Sequence, residues 1–293
     1  MKNIYLIFIL IVLCACSSTK RVTETTTKEI TVVVANTTKD STVENTPIQE
    51  PVTKTLETPK PNNLDKTGDI NVATNTKSLE AFNHDAWNRL LQTHVSNQGN
   101  VDYKGFKANR KTLLDYISAL SKNTPSDGWK KEDKLAYWIN TYNAMTVDLI
   151  LRNYPIKSIK DIKDPWDQRF WKLGNKWYNL NDIEHVILRK MDEPRIHFGI
   201  VCASFSCPKL QNEAFTASKM ESQLTKATKE FLSDSNRNQI TENSLELSKI
   251  FQWFSKDFKQ NGSLIDFLNL YTDIKISDKA KKRFKDYNWD LNE

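Results

Sequence analysis

The sequence predicts an α+β fold dominated by helix, with a few short strands and hairpins behind a disordered tether. Three observations lead there. A wide apolar stripe at helical spacing runs through residues 131–153. Two short stretches, 170–180 and 239–247, read as hairpins. Helix and strand segments do not alternate strictly, so a doubly wound parallel sheet is not expected.

The N-terminal part is read as an address. Met1-Lys2-Asn3 is a short basic start, and Ile4 to Leu13 is an unbroken apolar run too short to span a bilayer comfortably. Leu13-Cys14-Ala15-Cys16 resembles a bacterial lipoprotein processing box. That resemblance implies a signal peptide over residues 1–15, cleavage before Cys16 and lipidation of Cys16. The expected partner is then a membrane, reached through the lipid anchor. Ser17 and Ser18 in place of aspartate resemble the outer-membrane sorting pattern, which puts the protein in the cell envelope. Residues 16–78 carry that cysteine and a threonine-rich stretch. Sixteen of the 62 residues from Ser17 to Ser78 are threonine, and eight basic residues balance eight acidic ones. Such a segment has too little apolar surface to offset the entropy of ordering, so it is expected to be a disordered tether.

Residues 79–293 remain as the folded domain, long enough for a full core. The chain's net charge is +6. No dense basic stripe argues for nucleic acid, and the one basic run, 279–285, is expected as the solvated face of a helix over 278–286.

The elements follow in order. Phe82, Ala86, Leu90, Leu91 and Val95 have helix spacing, as do Leu113, Leu114, Ile117 and Leu120. Thr124-Pro125-Ser126-Asp127-Gly128 breaks the chain. In the helix over 131–153, Trp138, Ile139, Tyr142 and Met145 are expected to be buried. Asn140 and Asn143 lie three apart on one side of it, to orient a catalytic group or ligand, to sit solvated, or to tie down a neighbouring loop. The 170–180 hairpin turns at Gly174-Asn175. Asn181 or Asp182 caps a helix over 183–189 that carries Glu184 and His185. Helices over 217–232, 249–258 and 264–271 complete the set.

The stretch from Pro194 to Phe215, PRIHFGIVCASFSCPKLQNEAF, carries the chemistry. Residues 196–201 read as a short buried strand. Cys202 and Cys207 follow it, with His197 within it and His185 upstream. A cysteine attacks as thiolate, and an imidazole oriented by an amide or carboxylate can activate it. Cys207 is the preferred nucleophile, because Pro208 suits the first turn of a helix whose N-terminus would stabilise a thiolate. Cys202 is expected to be a packed thiol. A second possibility is structural: a Cys202–Cys207 disulfide, worth roughly 2 kcal/mol on chain-entropy grounds, in a non-catalytic binding module. A third is zinc held by Cys202, Cys207, His185 and His197. The spacing is loose for that, and no metal or other cofactor is expected.

Four ordered segments carry a family resemblance: LAYWINTYNAMTVDLIL from Leu135, LNDIEHVILR from Leu180, PRIHFGIVCASFSCPKL from Pro194, and LSKIFQWFSKDF from Leu247. They resemble the bacterial and plant family catalogued as domain of unknown function 547, over about residues 82–271. The family has no settled activity to carry over. Its motif positions correspond here to Trp138, Asn140, Tyr142, Asn143, Glu184, His185, Arg195, His197, Cys202, Cys207 and Pro208. The resemblance implies a shared polar site. Cys207, His185, His197, Asn140 and Asn143 are its expected catalytic members. Cys202, Glu184, Arg195, Trp138 and Tyr142 are the expected binding or supporting ones. The function expected is a cysteine-dependent hydrolase or acyltransferase, or else a binding module for a cell-envelope or extracellular ligand.

Overall fold

The computed structural model of the chain describes residues 80–293. The expected signal peptide, the expected lipidation at Cys16 and the expected tether fall outside the described residues. Within them the fold is α+β, helix-rich with two small sheets. No helix among the described residues is long and apolar enough to cross a membrane.

Helices α1 (Asp85–His94), α2 (Tyr103–Ala108) and α3 (Arg110–Lys122) pack around α4 (Lys131–Asn153). Every residue of α4 from Leu135 to Leu151 is buried, so it is wrapped on all sides rather than on one stripe. Trp138, Ile139, Tyr142 and Met145 are buried as expected. A fully buried carboxylate, Asp148, ties the layers together. It pairs with Arg110 and Arg152 at 2.8 Å each and accepts a hydrogen bond from the Trp171 indole. Charge-assisted bonds on both oxygens are what makes a buried carboxylate tolerable.

Strands β1 (Trp171–Leu173) and β2 (Lys176–Tyr178) form the expected hairpin, with Gly174 at φ 55° in its turn. Residues 183–189 are helical but not regular. A π-helical turn, Asp182–Ile187, passes into a 3-10 turn, Leu188–Lys190. The expected strand at 196–201 is instead one helical turn, α5 (Ile196–Gly199), followed by extended backbone. A short apolar run does not distinguish the two. The turn packs closely: a side chain at Gly199 would press against Phe215, Leu224 and Ile139. No helix starts at Pro208; the chain stays irregular until the 3-10 turn Ala217–Lys219, which leads into α6 (Met220–Ser233).

Strands β3 (Gln239–Ile240) and β4 (Ser244–Leu247) pair antiparallel, and β4 pairs parallel with β5 (Lys281–Phe284). The helix expected over 278–286 is therefore a strand. Its lysines and arginine stay exposed and cover the edge of the sheet. The stretch expected as one helix over 249–258 divides into α7 (Ile250–Trp253) and a 3-10 turn, Asp257–Lys259. Helix α8 (Leu264–Asn269) starts with a capping box between Ser263 and Asp266.

Two hydrophobic clusters result. One surrounds α4, and the other gathers Phe231, Phe251, Phe258 and Phe267. The stretch from α5 to Val201 lies at their seam: Ile196, Ile200 and Val201 belong to the first cluster and Phe198 to the second.

Candidate functional site

The seam opens into a cavity of about 160 Å³. Tyr142, Glu184, His185, His197, Cys202 and Cys207 all line it, with Ile200, Pro208 and Ile250. Its walls are aromatic: Trp166, Trp253, Phe254, Tyr287 and Trp289. Polar groups converging in an aromatic pocket are the usual form of a small-molecule site.

Each polar group is delivered by a distinct device. The π turn is wider than an α turn and rotates consecutive side chains through a smaller angle, so Glu184 and His185 both reach the cavity. α5 brings His197. The loop that follows brings the cysteines, with Ala203 in the left-handed region at φ 57°. That loop is held at many points. Phe205 N–H donates to Asp290 O at 2.7 Å, and Ser206 N–H donates to Asn288 O at 3.2 Å. The Arg237 guanidinium donates to Cys207 O at 2.8 Å and to Phe205 O at 2.5 Å.

Cys202 and Cys207 are free thiols whose sulfurs lie 3.0 Å apart. Cys202 is partly exposed, whereas Cys207 is only 4% exposed. Cys202 Sγ also lies 3.1 Å from Ser204 Oγ and 3.3 Å from the Tyr287 hydroxyl. The hydrogen bond shared with Cys207, helped by Ser204 and Tyr287, outweighs burial and brings Cys202 down to about 7. Burial pushes Cys207 the other way, well above the ordinary thiol, although Cys202 N–H donates to its sulfur at 2.9 Å. The sulfur poised to ionise is thus Cys202, not Cys207. The helix expected to activate Cys207 does not form, and hydroxyl partners gather around Cys202 instead.

Glu184 is buried, and its carboxyl is pushed up to about 7 by that burial, despite the hydrogen bond it accepts from the Tyr142 hydroxyl at 3.1 Å. It therefore titrates where an acid–base group is useful. His197 is also buried. Its Nε2 lies 2.9 Å from Asp257 Oδ2, and its ring stacks on Phe254 at 4.0 Å between centroids. Burial alone would raise Asp257. The hydrogen bonds from His197 and from Arg189, at 2.6 and 2.9 Å, override it and keep Asp257 ionised. An ionised Asp257 places the His197 proton on Nε2 and leaves Nδ1 as the basic nitrogen. Burial lowers the pKa of His197, which keeps the ring neutral near pH 7. His185 is exposed. Burial of part of its ring and the Arg189 charge lower it, and Arg189 donates to its Nδ1 at 3.1 Å.

Among the described residues no hydrogen bond joins an imidazole nitrogen to either sulfur, and no three His, Cys, Asp or Glu side chains gather as metal donors. Asn140 and Asn143 are not in the cavity. Asn140 clamps Phe215, donating to its O at 2.7 Å and accepting from its N–H at 3.0 Å. Asn143 donates to Gly199 O at 2.9 Å and accepts from Val201 N–H at 3.0 Å. Of the roles open to these amides, orienting a group, lying solvated or tying down neighbouring backbone, they occupy the last. Arg195 is elsewhere too, paired with Glu193 and Glu221 at 2.7 Å each. Trp138 packs between Tyr137 and Tyr178, behind the site.

Residue-by-residue reasoning missed Asp257, Ser204 and Tyr287. Asp257, with Trp253 and Phe254, falls in the LSKIFQWFSKDF segment, so the signal was present but attached to no chemistry.

No curated protein and no solved structure matches the chain. The family model described as "Protein of unknown function, DUF547" matches residues 126–232. The match takes in α4, the π turn, α5 and the cysteine loop, and it ends before the segment that supplies Trp253 and Asp257. Over the stretch that builds most of the cavity, this chain is similar to the DUF547 family.

Proposed function

We propose that the cavity is the site of a thiol-dependent hydrolase or acyltransferase, with Cys202 as its nucleophile. The observation that carries this is the environment of Cys202 Sγ: hydrogen-bond partners on Ser204, Tyr287 and Cys207 around one partly exposed sulfur, in a cavity also lined by Glu184 and His197. The Cys202 thiolate attacks an acyl carbonyl and forms a thioester as the bond to the leaving group breaks. Protonated Glu184 gives the leaving group its proton. His197, oriented by Asp257, then takes a proton from the water or acceptor that resolves the thioester. The aromatic walls supply the binding surface. Incubation with p-nitrophenyl acetate should acetylate Cys202, found by peptide mass mapping, and should release p-nitrophenol well beyond one equivalent. Acetylation elsewhere, or none while Cys202 is free, would refute the assignment.

The absence of a hydrogen bond between imidazole and sulfur among the described residues favours a second reading: the cavity binds a small apolar ligand without acting on it. Acetylation of Cys202 with release of one equivalent and no turnover would favour that module.

We also propose that the domain, residues 79–293, is held at the cell envelope by a lipid on Cys16 through the 16–78 tether. Ser17 and Ser18 support the outer membrane. The residue pattern around Cys16 supports this, and Cys16→Ala tests it. The variant should leave the membrane fraction or stay unprocessed, and fractionation like wild type would refute it.

A further inference from the structure

We infer that Cys202 and Cys207 form a redox-active dithiol that exchanges with a small-molecule disulfide, Cys202 attacking and Cys207 resolving. This goes beyond acyl transfer and does not depend on it, because exchange needs only the two sulfurs.

The geometry assigns the two parts. Both sulfurs border the cavity, but Cys202 is partly exposed there while Cys207 is only 4% exposed, so an external disulfide meets Cys202 first. The sulfurs are 3.0 Å apart, so closing a bond of about 2.05 Å takes a movement of about 1 Å. Nothing large has to move, because the loop already holds both sulfurs together. Asn143 fixes the backbone just before Cys202, Arg237 grips the carbonyls of Phe205 and Cys207, and the segment around Asn288 and Asp290 pins the turn between them. A partly exposed thiol with hydroxyl partners at its sulfur, beside a more buried second thiol, suits thiol–disulfide exchange.

The step balances as follows. The Cys202 thiolate attacks one sulfur of the disulfide. The disulfide's own S–S bond breaks, and the departing thiolate takes a proton from water. Cys207 then gives up its proton and attacks the Cys202 sulfur, expelling the second thiolate, which picks up a proton. Two electrons and two protons pass from the dithiol to the disulfide, which leaves as two thiols.

The test uses the full chain, reduced and freed of reductant, then exposed to oxidised glutathione. Peptide mapping separates the pair from Cys14 and Cys16. Wild type should lose both thiols together, end two hydrogens lighter across the pair, and carry no lasting glutathione. Cys207→Ser should trap one glutathione on Cys202. Cys202→Ser should leave Cys207 unmodified. A lasting glutathione adduct on wild-type Cys202, or no reaction of wild type, would overturn the inference without reliance on either variant. Modification of Cys207 in Cys202→Ser, at the rate seen for Cys202, would overturn the order of attack. Acetylation by p-nitrophenyl acetate is read in parallel samples. Closure without acetylation supports the dithiol and removes the acyl-transfer proposal, whereas acetylation without closure does the reverse.

Discussion

Asn143 accepts a hydrogen bond from the Val201 N–H at 3.0 Å while its own amide N–H reaches Gly199 O at 2.9 Å. One side chain of the central helix thereby stands in for a strand partner on both sides of Ile200, and the cysteine loop starts from a fixed point. Asn143→Ala leaves a buried donor and a buried acceptor unpaired, at about 1–3 kcal/mol each. Urea unfolding should show a loss of about 2–6 kcal/mol. A loss under about 0.5 kcal/mol, the scatter of surface positions, would mean that the clamp is idle.

Cys202 should react with iodoacetamide along a pH profile centred near 7 rather than near the ordinary thiol value of about 8.5. The larger thiolate fraction is partly offset by lower nucleophilicity. At pH 7 the gain should be about threefold over a free thiol. Removing the hydroxyl of Tyr287, as in Tyr287→Phe, should move the profile upward. A profile for Cys202 that matches a free thiol would remove the basis for its activation.

Glu184 holds its proton in the fold up to about pH 7 and loses it near 4.5 when unfolded. The sign follows from linkage. The stability tied to this group is complete below pH 4.5 and falls away as pH rises through 7. Glu184→Gln has no proton to lose. Relative to wild type, it should gain about 3 kcal/mol between pH 4 and pH 8.5. Urea unfolding of both proteins at the two pH values measures the difference, and parallel curves would show that Glu184 is not shifted.

Trp138 is 8% exposed and packs against Tyr137 and Tyr178, whereas Trp177 on β2 is 53% exposed. Trp138→Ala should cost roughly 3–5 kcal/mol, and Trp177→Ala should stay within about 0.5 kcal/mol of wild type. Equal effects would mean that α4 is not the centre of the fold.

The long helix and the first hairpin were legible because their signals are local. Leu135, Trp138, Tyr142 and Met145 keep a 3.6-residue period, and Gly174 marks a two-residue turn. The gathering of His197, Cys202, Cys207, Glu184 and Tyr142 was legible only as a list of polar residues within the motif segments. What pairs with what was not. Asp257 meets His197 across 60 residues of chain, and Tyr287 meets Cys202 across 85. No spacing rule reaches that far. Residues 196–201 and 278–286 were misassigned because one is a short apolar run and the other a charged one. In both, tertiary packing outweighs local preference.

The turn between the cysteines is pinned by Asn288 and Asp290, so it cannot settle until a long loop has closed, and contacts of high sequence separation form slowly. During that interval Cys202 and Cys207 lack the neighbours that set their reactivity apart. Both behave as ordinary, accessible thiols. Under oxidising conditions the chain is then most open to wrong cross-links before it is fully folded, and a thiol reductant present during refolding should raise the yield of folded protein.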